Sequence, residues 1–181
     1  MTELTRVQTQ EQVSNVVNLA REIWTDHYVP IIGQEQVAYM LDKFQSQEAI
    51  TAQLAVGYEY YIVTHDGRRM GYLAVVPNDD EDALMISKIY VTKPGRGLGL
   101  GRKMLSFAED ACRERRIKTL WLTVNRHNTD TIAWYTRMGF KNAGPIVQDI
   151  GGGFVMDDYR MEKTVNRQSL AGDSLKSEPG R

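Results

Sequence analysis

Lys88-Ile89-Tyr90-Val91-Thr92-Lys93-Pro94-Gly95-Arg96-Gly97-Leu98-Gly99-Leu100-Gly101-Arg102 is the stretch on which the reading of this 181-residue chain turns. Ala83 to Thr92 reads as a buried strand and Pro94 to Gly101 as a loop. Arg102 to Arg115, with Leu105, Ala108 and Cys112 on one face, reads as a helix. Glycine at nearly every second loop position lets backbone approach a ligand closely. A helix that opens there offers free N–H groups and the positive end of its dipole, so the loop reads as a phosphate cradle. Two familiar phosphate patterns fail. A dinucleotide fingerprint needs glycine where Arg102 stands, and Gly-Lys-Ser/Thr occurs nowhere in the chain.

Upstream, Val13, Val16, Val17, Ala20, Ile23, Trp24 and Tyr28 recur at helical steps. With Thr9 and Gln12 as a capping box they predict a first helix from about Gln10 to Asp26. After a break at Pro30 to Gly33, Val37, Met40, Leu41 and Phe44 predict a second helix. Ser46 is placed to cap a short third one carrying Ile50 and Leu54. Glu59 to His65 and Arg69 to Pro77 read as strands joined by an Asp66-Gly67 hairpin turn, followed by an acidic loop at Asp79 to Asp82. Downstream come a strand at Thr119 to Val124, a helix at Asn128 to Met138 stopped by Gly139, and strands near Lys141 to Val147 and Phe154 to Glu162. Residues 1–165 read as a single domain. From Asn166 to Arg181 the chain is polar and is expected to be a disordered tail.

Composition narrows the function. The three histidines are scattered, and Cys112, the single cysteine, has no partner for an internal disulfide or a zinc site. No metal is expected. The polar N-terminus and the absence of an apolar run near ~18 residues predict no signal peptide, no membrane helix and a cytoplasmic setting. The net charge of −1 is unevenly spread: Lys93 to Lys118 is net +5, leaving −6 elsewhere. A local positive field in an acidic chain fits a small polyanionic ligand better than nucleic acid. The basic run Arg113 to Lys118 reads most simply as the cation-rich end of a helix.

Arg96-x-x-Gly99-x-Gly101 resembles the Q/R-x-x-G-x-G/A motif of the GNAT N-acetyltransferase superfamily. Ile89-Tyr90-Val91 is similar to that family's strand before the loop. Asn125, Asn128, Ala133-Trp134-Tyr135 and Met138-Gly139-Phe140 resemble its second half-site. Over roughly Tyr60 to Lys163 the resemblance implies an α/β (α+β) fold with a mixed, mostly antiparallel sheet of six to seven strands flanked by helices. It implies acetyl-CoA as cosubstrate. Backbone N–H groups of Gly97, Leu98, Gly99, Leu100, Gly101 and Arg102, beside Arg96, would hold the pyrophosphate. Ile89, Tyr90 and Val91 would line the pantetheine arm, Ile89 and Val91 through their main chain. Asn128 would bond that arm, Arg137 would reach the 3′-phosphate, and Tyr135 would give a proton to the departing thiolate. From its helix alone Tyr135 reads as a core aromatic; the motif context gives it the catalytic reading.

An alkyl ammonium of pKa ~10.4 must lose a proton before it attacks a thioester, so a base is needed. Asp26, Glu59, Glu81 and Asp82 are candidates, as is His27, which reads more simply as a helix-terminal packing or capping residue. The acceptor end implied by the resemblance comprises Trp24 to Tyr28 and Asp149 to Tyr159. The latter resembles the closing hairpin of spermidine/spermine-type enzymes, with Asp26, Asp149, Asp157 and Asp158 available to ammonium groups. The expected activity is acetyl transfer to a primary amine of a polyamine or other small cation. A protein N-terminal or lysine acetyltransferase and a non-catalytic acyl-CoA-binding module are the alternatives. No nucleic acid or membrane partner is expected, and a homodimer is compatible with the resemblance.

Overall fold

The computed structural model describes residues 1–166, so the tail expected from Asn166 onward lies, apart from Asn166 itself, outside the described residues. Seven strands form one sheet: β1 (Thr2–Arg6), β2 (Glu59–His65), β3 (Arg68–Asn78), β4 (Ala83–Val91), β5 (Thr119–Asn125), β6 (Lys141–Gly151) and β7 (Phe154–Thr164). Their order is β1-β2-β3-β4-β5-β7-β6, antiparallel at every junction except β4 with β5. Helices α1 (Gln10–Ile32), α2 (Gln34–Gln45) and α3 (Gln47–Ala55) cover one face, and α4 (Leu100–Arg115) covers the other. A fifth helix, α5 (Thr129–Arg137), follows β5.

The central strands read as nearly continuous apolar runs because both their faces are buried. Tyr60 and Ile62 of β2, with Tyr72 and Ala74 of β3, pack toward α1–α3. The intervening Tyr61, Val63, Leu73 and Val75 pack toward α4. β4 changes phase partway along. Its register to β3 pairs Val75 with Ile86 and Ala74 with Lys88, leaving Ser87 as a bulge. Leu84 and Ile86 thus face α4, whereas Lys88 and Tyr90 turn to the other side and Ile89 and Val91 return to the first.

Three departures from the sequence reading have physical causes. β1 is a polar edge strand with one neighbour, and only Thr2 and Leu4 are partly covered, so it carries little hydrophobic signal. α1 does not end near Asp26 but runs through Pro30 to Ile32. Pro30 removes one N–H in the last turns, and Tyr28, Val29 and Ile32 offset that loss by packing on the α1–α3 core. Gly33, at φ 87°, then stops the helix by donating its N–H to the Val29 carbonyl at 3.0 Å. The closing hairpin is longer than its apolar pattern, reaching Gly151 and Thr164 because backbone pairing continues past the buried positions. Local signals fall where read: Thr9 accepts from the Gln12 N–H at 3.2 Å, Ser46 accepts from the Ala49 N–H at 3.1 Å, and Asp66-Gly67 turns with both φ values positive.

Gly71 is fixed by close approach: a Cβ there would lie 2.3 Å from the Tyr90 carbonyl oxygen. Gly71→Ala is expected to destabilise the fold by about 1–3 kcal/mol in denaturant unfolding, because the contact is with backbone that cannot rotate away. Lys88 is a buried amine held by the Gln53 Oε1 at 2.9 Å and by the Tyr58 and Tyr60 ring faces. Burial lowers its pKa from 10.5 to about 7. The folded state therefore loses stability as pH falls from about 10.5 to about 7, and the full penalty stands below that. Lys88→Met should flatten this slope and raise stability near pH 6 by about 2–4 kcal/mol, as measured by unfolding across pH.

Candidate active site

The parallel pairing of β4 and β5 lasts only from Ala83–Met85 against Thr119–Trp121. Beyond it the strands part, and the gap opens into a cavity of about 800 Å³, large enough for a substantial ligand. Its walls come from five segments: Ile23, His27 and Tyr28 of α1; β4 from Ile86 to Val91; the loop and first turn of α4; Leu122 to Val124 of β5; and Asn128 to Tyr135 around α5. The β5-facing edge of β4 past Met85 has no strand partner, so its backbone groups are available to a ligand.

At the α4 end, Gly97 and Gly99 hold φ values of 81° and 74°, with open space where a Cβ would stand. Gly99 is the N-cap in left-handed conformation, no side chain caps the helix, and no acidic residue occupies its first turn. The first N–H groups of α4 are therefore left for an anion. Among the described residues no group of three or more His, Cys, Asp or Glu is arranged to hold a metal.

Most of the residues singled out from the sequence meet at this cavity. Ile89, Tyr90, Val91, Arg96, Gly97, Gly99, Leu100, Gly101, Arg102, Asn128 and Tyr135 all line it. Leu98 and Arg137 do not; both are exposed, and Arg137 lies on the outer side of α5. Tyr135 stands where the core meets the cavity. It is packed in the α4-side core against Trp134 and Phe140 and it also lines the cavity. Burial, with the neighbouring Tyr28, pushes its phenol well above the usual range and keeps it protonated.

The candidate bases separate clearly. Glu59 is held by both terminal nitrogens of Arg115 (3.0 and 2.7 Å) and by the Tyr61 hydroxyl. Burial would raise its pKa, but the hydrogen bonds and charge of Arg115 win and hold it below the usual carboxylate range. Asp82, at φ 51°, accepts the Lys118 backbone N–H and pairs with the Lys118 ammonium at 3.3 Å. It fixes the entry to β5 rather than floating in a solvated loop. Glu81 closes a one-turn 3-10 helix away from the cavity wall, and Asp26 lies 3.8 Å from Arg96 with both half-exposed. Asn125 serves the turn, accepting the His127 N–H at 2.9 Å.

Ser87, Thr123, Asp130 and Thr131 also line the cavity and carried no motif. Only the strand bulge and the parting of β4 from β5 bring them there. Tyr28 is partly buried, and the Tyr90 hydroxyl lies against its own. Burial pushes the Tyr28 phenol up to about 12, with the nearby Asp158 adding to the rise.

A model of the acetyltransferase (GNAT) family matches residues 17–140. An uncharacterised N-acetyltransferase of Lactobacillus delbrueckii subsp. lactis is 28% identical over 178 residues, covering 94% of this chain and 99% of its own. Streptothricin acetyltransferase of Streptomyces lavendulae is 38% identical over 85 residues, 47% of this chain and 45% of that one. The crystal structure of PaiA N-acetyltransferase from Thermoplasma acidophilum in complex with coenzyme A shares the fold, with a TM-score of 0.72 at 20% identity, covering 91% of this chain and 99% of that one. The chain belongs to the GNAT family: it is an acetyl-CoA-dependent N-acetyltransferase acting on amine acceptors.

His27 lines the cavity, its Nε2 3.3 Å from the Asn128 side-chain nitrogen. Burial first, then the Arg96 charge, lowers its pKa from 6.5. Its imidazole is therefore expected to be neutral at pH 6.5, with a proton NMR titration midpoint below that of an exposed histidine. Arg96→Ala should move the midpoint upward, and an unshifted midpoint in both proteins would contradict the placement of the ring.

Proposed function

We propose that this enzyme transfers the acetyl group of acetyl-CoA to the primary amine of a small cationic acceptor, of polyamine or streptothricin-like character, by direct attack in a ternary complex. The observation that carries this reading is the two-ended cavity. One end offers the uncapped, glycine-lined start of α4 and the basic segment. Beyond the other, Tyr28 of α1 leads to Asp158, buried on β7, with Asp26 also on α1. An anionic cofactor and a cationic acceptor thus find complementary fields on either side of the reacting atoms. The relative named for streptothricin supports an amine acceptor of this kind.

In this reading the α4 N–H groups from Gly97 to Arg102 hold the pyrophosphate, and the free edge of β4 at Ile89 and Val91 aligns the pantetheine arm. Asn128 steadies that arm from the opposite wall. A β4 N–H facing the gap is positioned to stabilise the negative charge that develops on the thioester oxygen during attack. Tyr135, kept protonated by burial, gives its proton to the sulfur as the C–S bond breaks. The same dry surroundings that make the phenol a weaker acid also penalise the leaving thiolate, so the transfer remains matched. Arg137, exposed at the end of α5, would reach the 3′-phosphate, with Arg96 and Arg102 lining the cavity nearer the pyrophosphate. Residues 1–165 act as one catalytic unit, and the cytoplasm, where acetyl-CoA is available, is the proposed setting.

Thiol release from acetyl-CoA across a panel of alkyl diamines, spermidine and lysine peptides tests the activity. Turnover should be confined to small polycations, and binding of acetyl-CoA with no release for any amine would instead mark a non-catalytic acyl-CoA-binding module. Tyr135→Phe is expected to lower kcat about 100-fold with calorimetric affinity for acetyl-CoA unchanged. Equal rates for the two proteins would remove the proton-donor role.

A further inference from the structure

Asp158 is a buried carboxylate that no cation holds among the described residues. β7 places it opposite Asn125 of β5 and Ile146 of β6, on the same face as Phe154 and Met156, and it is only 6% exposed. The nearby cations are engaged elsewhere. Arg126 pairs with Asp157 (Nε to Oδ1 2.8 Å), and Arg160 lies over the Trp121 ring while pairing with Glu162 at 2.7 Å. Among the described residues no lysine, arginine or histidine forms an ion pair with Asp158. Its polar neighbours are Thr123, on the same face of the sheet across β5, and Tyr28, whose phenol feels its charge; both line the cavity, and Asp158 sits behind them. A protein rarely buries a carboxylate without a partner unless a ligand supplies one.

We propose that Asp158 receives the acceptor's ammonium group and takes the proton that frees its nitrogen for attack. This rests on the acetyl-transfer reading above and assigns the base that reading leaves open. Asp158 accepts one proton from the ammonium, and the nitrogen lone pair then forms the bond to the thioester carbon. As the tetrahedral adduct collapses, the C–S bond breaks and the sulfur takes the Tyr135 proton. The adduct nitrogen gives up a second proton, which restores Tyr135, and the amide keeps the last. The net products are amide, CoA thiol and one proton passed from Asp158 to solvent.

Around Asp158 stand Thr123 and Asn125 on β5, Tyr28 on α1 and the apolar Ile146 on β6, while Asp157, next to it on β7, points to the other face and acts through its charge. Burial raises its pKa from 3.8 to about 6, with Asp157 adding and Thr123 opposing. The group is therefore ionised at neutral pH yet more basic than an exposed carboxylate. The other acidic candidates lack this combination, since Glu59, Asp82 and Asp157 are held by arginine or lysine and Asp26 faces Arg96 at the surface.

The experiment compares wild type, Asp158→Asn and Asp158→Glu with acetyl-CoA and spermidine or the best diamine of the panel, from pH 5 to 9. For wild type, kcat/KM should rise with pH through an ascending limb near 6. In Asp158→Asn it should fall at least about 100-fold and lose that limb. Calorimetric affinity for CoA should be unchanged, and the melting temperature should be equal or higher, because the buried charge is gone. Asp158→Glu should keep the limb with partial activity. Wild-type turnover with an unchanged profile in Asp158→Asn, or a rate loss accompanied by a lowered melting temperature and a retained limb, would overturn the role of Asp158 alone. Wild type that releases no thiol with any amine would overturn the acetyl-transfer reading and this assignment together.

Discussion

Two neighbouring parallel strands that stop pairing partway along are the constraint on which the molecule depends. β4 and β5 hydrogen-bond for three residues each and then separate, leaving an open ladder edge inside the sheet. Unpaired strand edges are costly when buried and hazardous when exposed. Here the parting is held in place from outside the gap. The Ser87 bulge turns β4, Gly71 lets β3 approach the Tyr90 carbonyl, and β5 is tied to β7 along its whole length. Asp82, bonded to both the backbone and the side chain of Lys118, anchors the end where the strands still pair. The cavity is thus a consequence of sheet geometry, and the edge it exposes is a prepared partner for a substrate with an extended polar arm.

Charge is distributed to match. The basic segment lies on α4 and the loop before it, but its members differ in role. Arg113 and Arg115 are tied up with Glu109, Asp110 and Glu59, whereas Arg96 and Arg102 reach the cavity. On β7, Asp158 forms no ion pair among the described residues. Tyr28 and Tyr90 are partly buried and their phenols are pushed upward, so they carry no negative charge at neutral pH.

Much of the fold was legible from local signals: the capping box at Thr9, the Asp66-Gly67 turn, the glycine stop after α5 and the alternation or continuity of apolar strands. These are short-range effects, decided within a few residues. The edge strand β1 and the extension of α1 past Pro30 were not legible, since each depends on a partner distant in sequence: β2 for the first and the α1–α3 core for the second. At the cavity, the glycine loop stood out because its pattern is dense and contiguous, and Tyr135 stood out only through the resemblance of its surroundings to a known motif. Thr123 and Ser87 could not, because nothing about an isolated serine or threonine in a strand marks which edge will be left open.

The amino-acid sequence by itself determined the family, the cosubstrate and most of the helix–sheet order, because these rest on contiguous residues whose backbone conformations are locally dictated. Tertiary structure alone decided which carboxylates are free. Glu59, Asp82, Asp157 and Asp158 are equivalent as letters, and three of them are claimed by Arg115, Lys118 and Arg126. The chemistry of a carboxylate is set by burial and by the nearest cation, and both are properties of strands brought together from opposite ends of the chain.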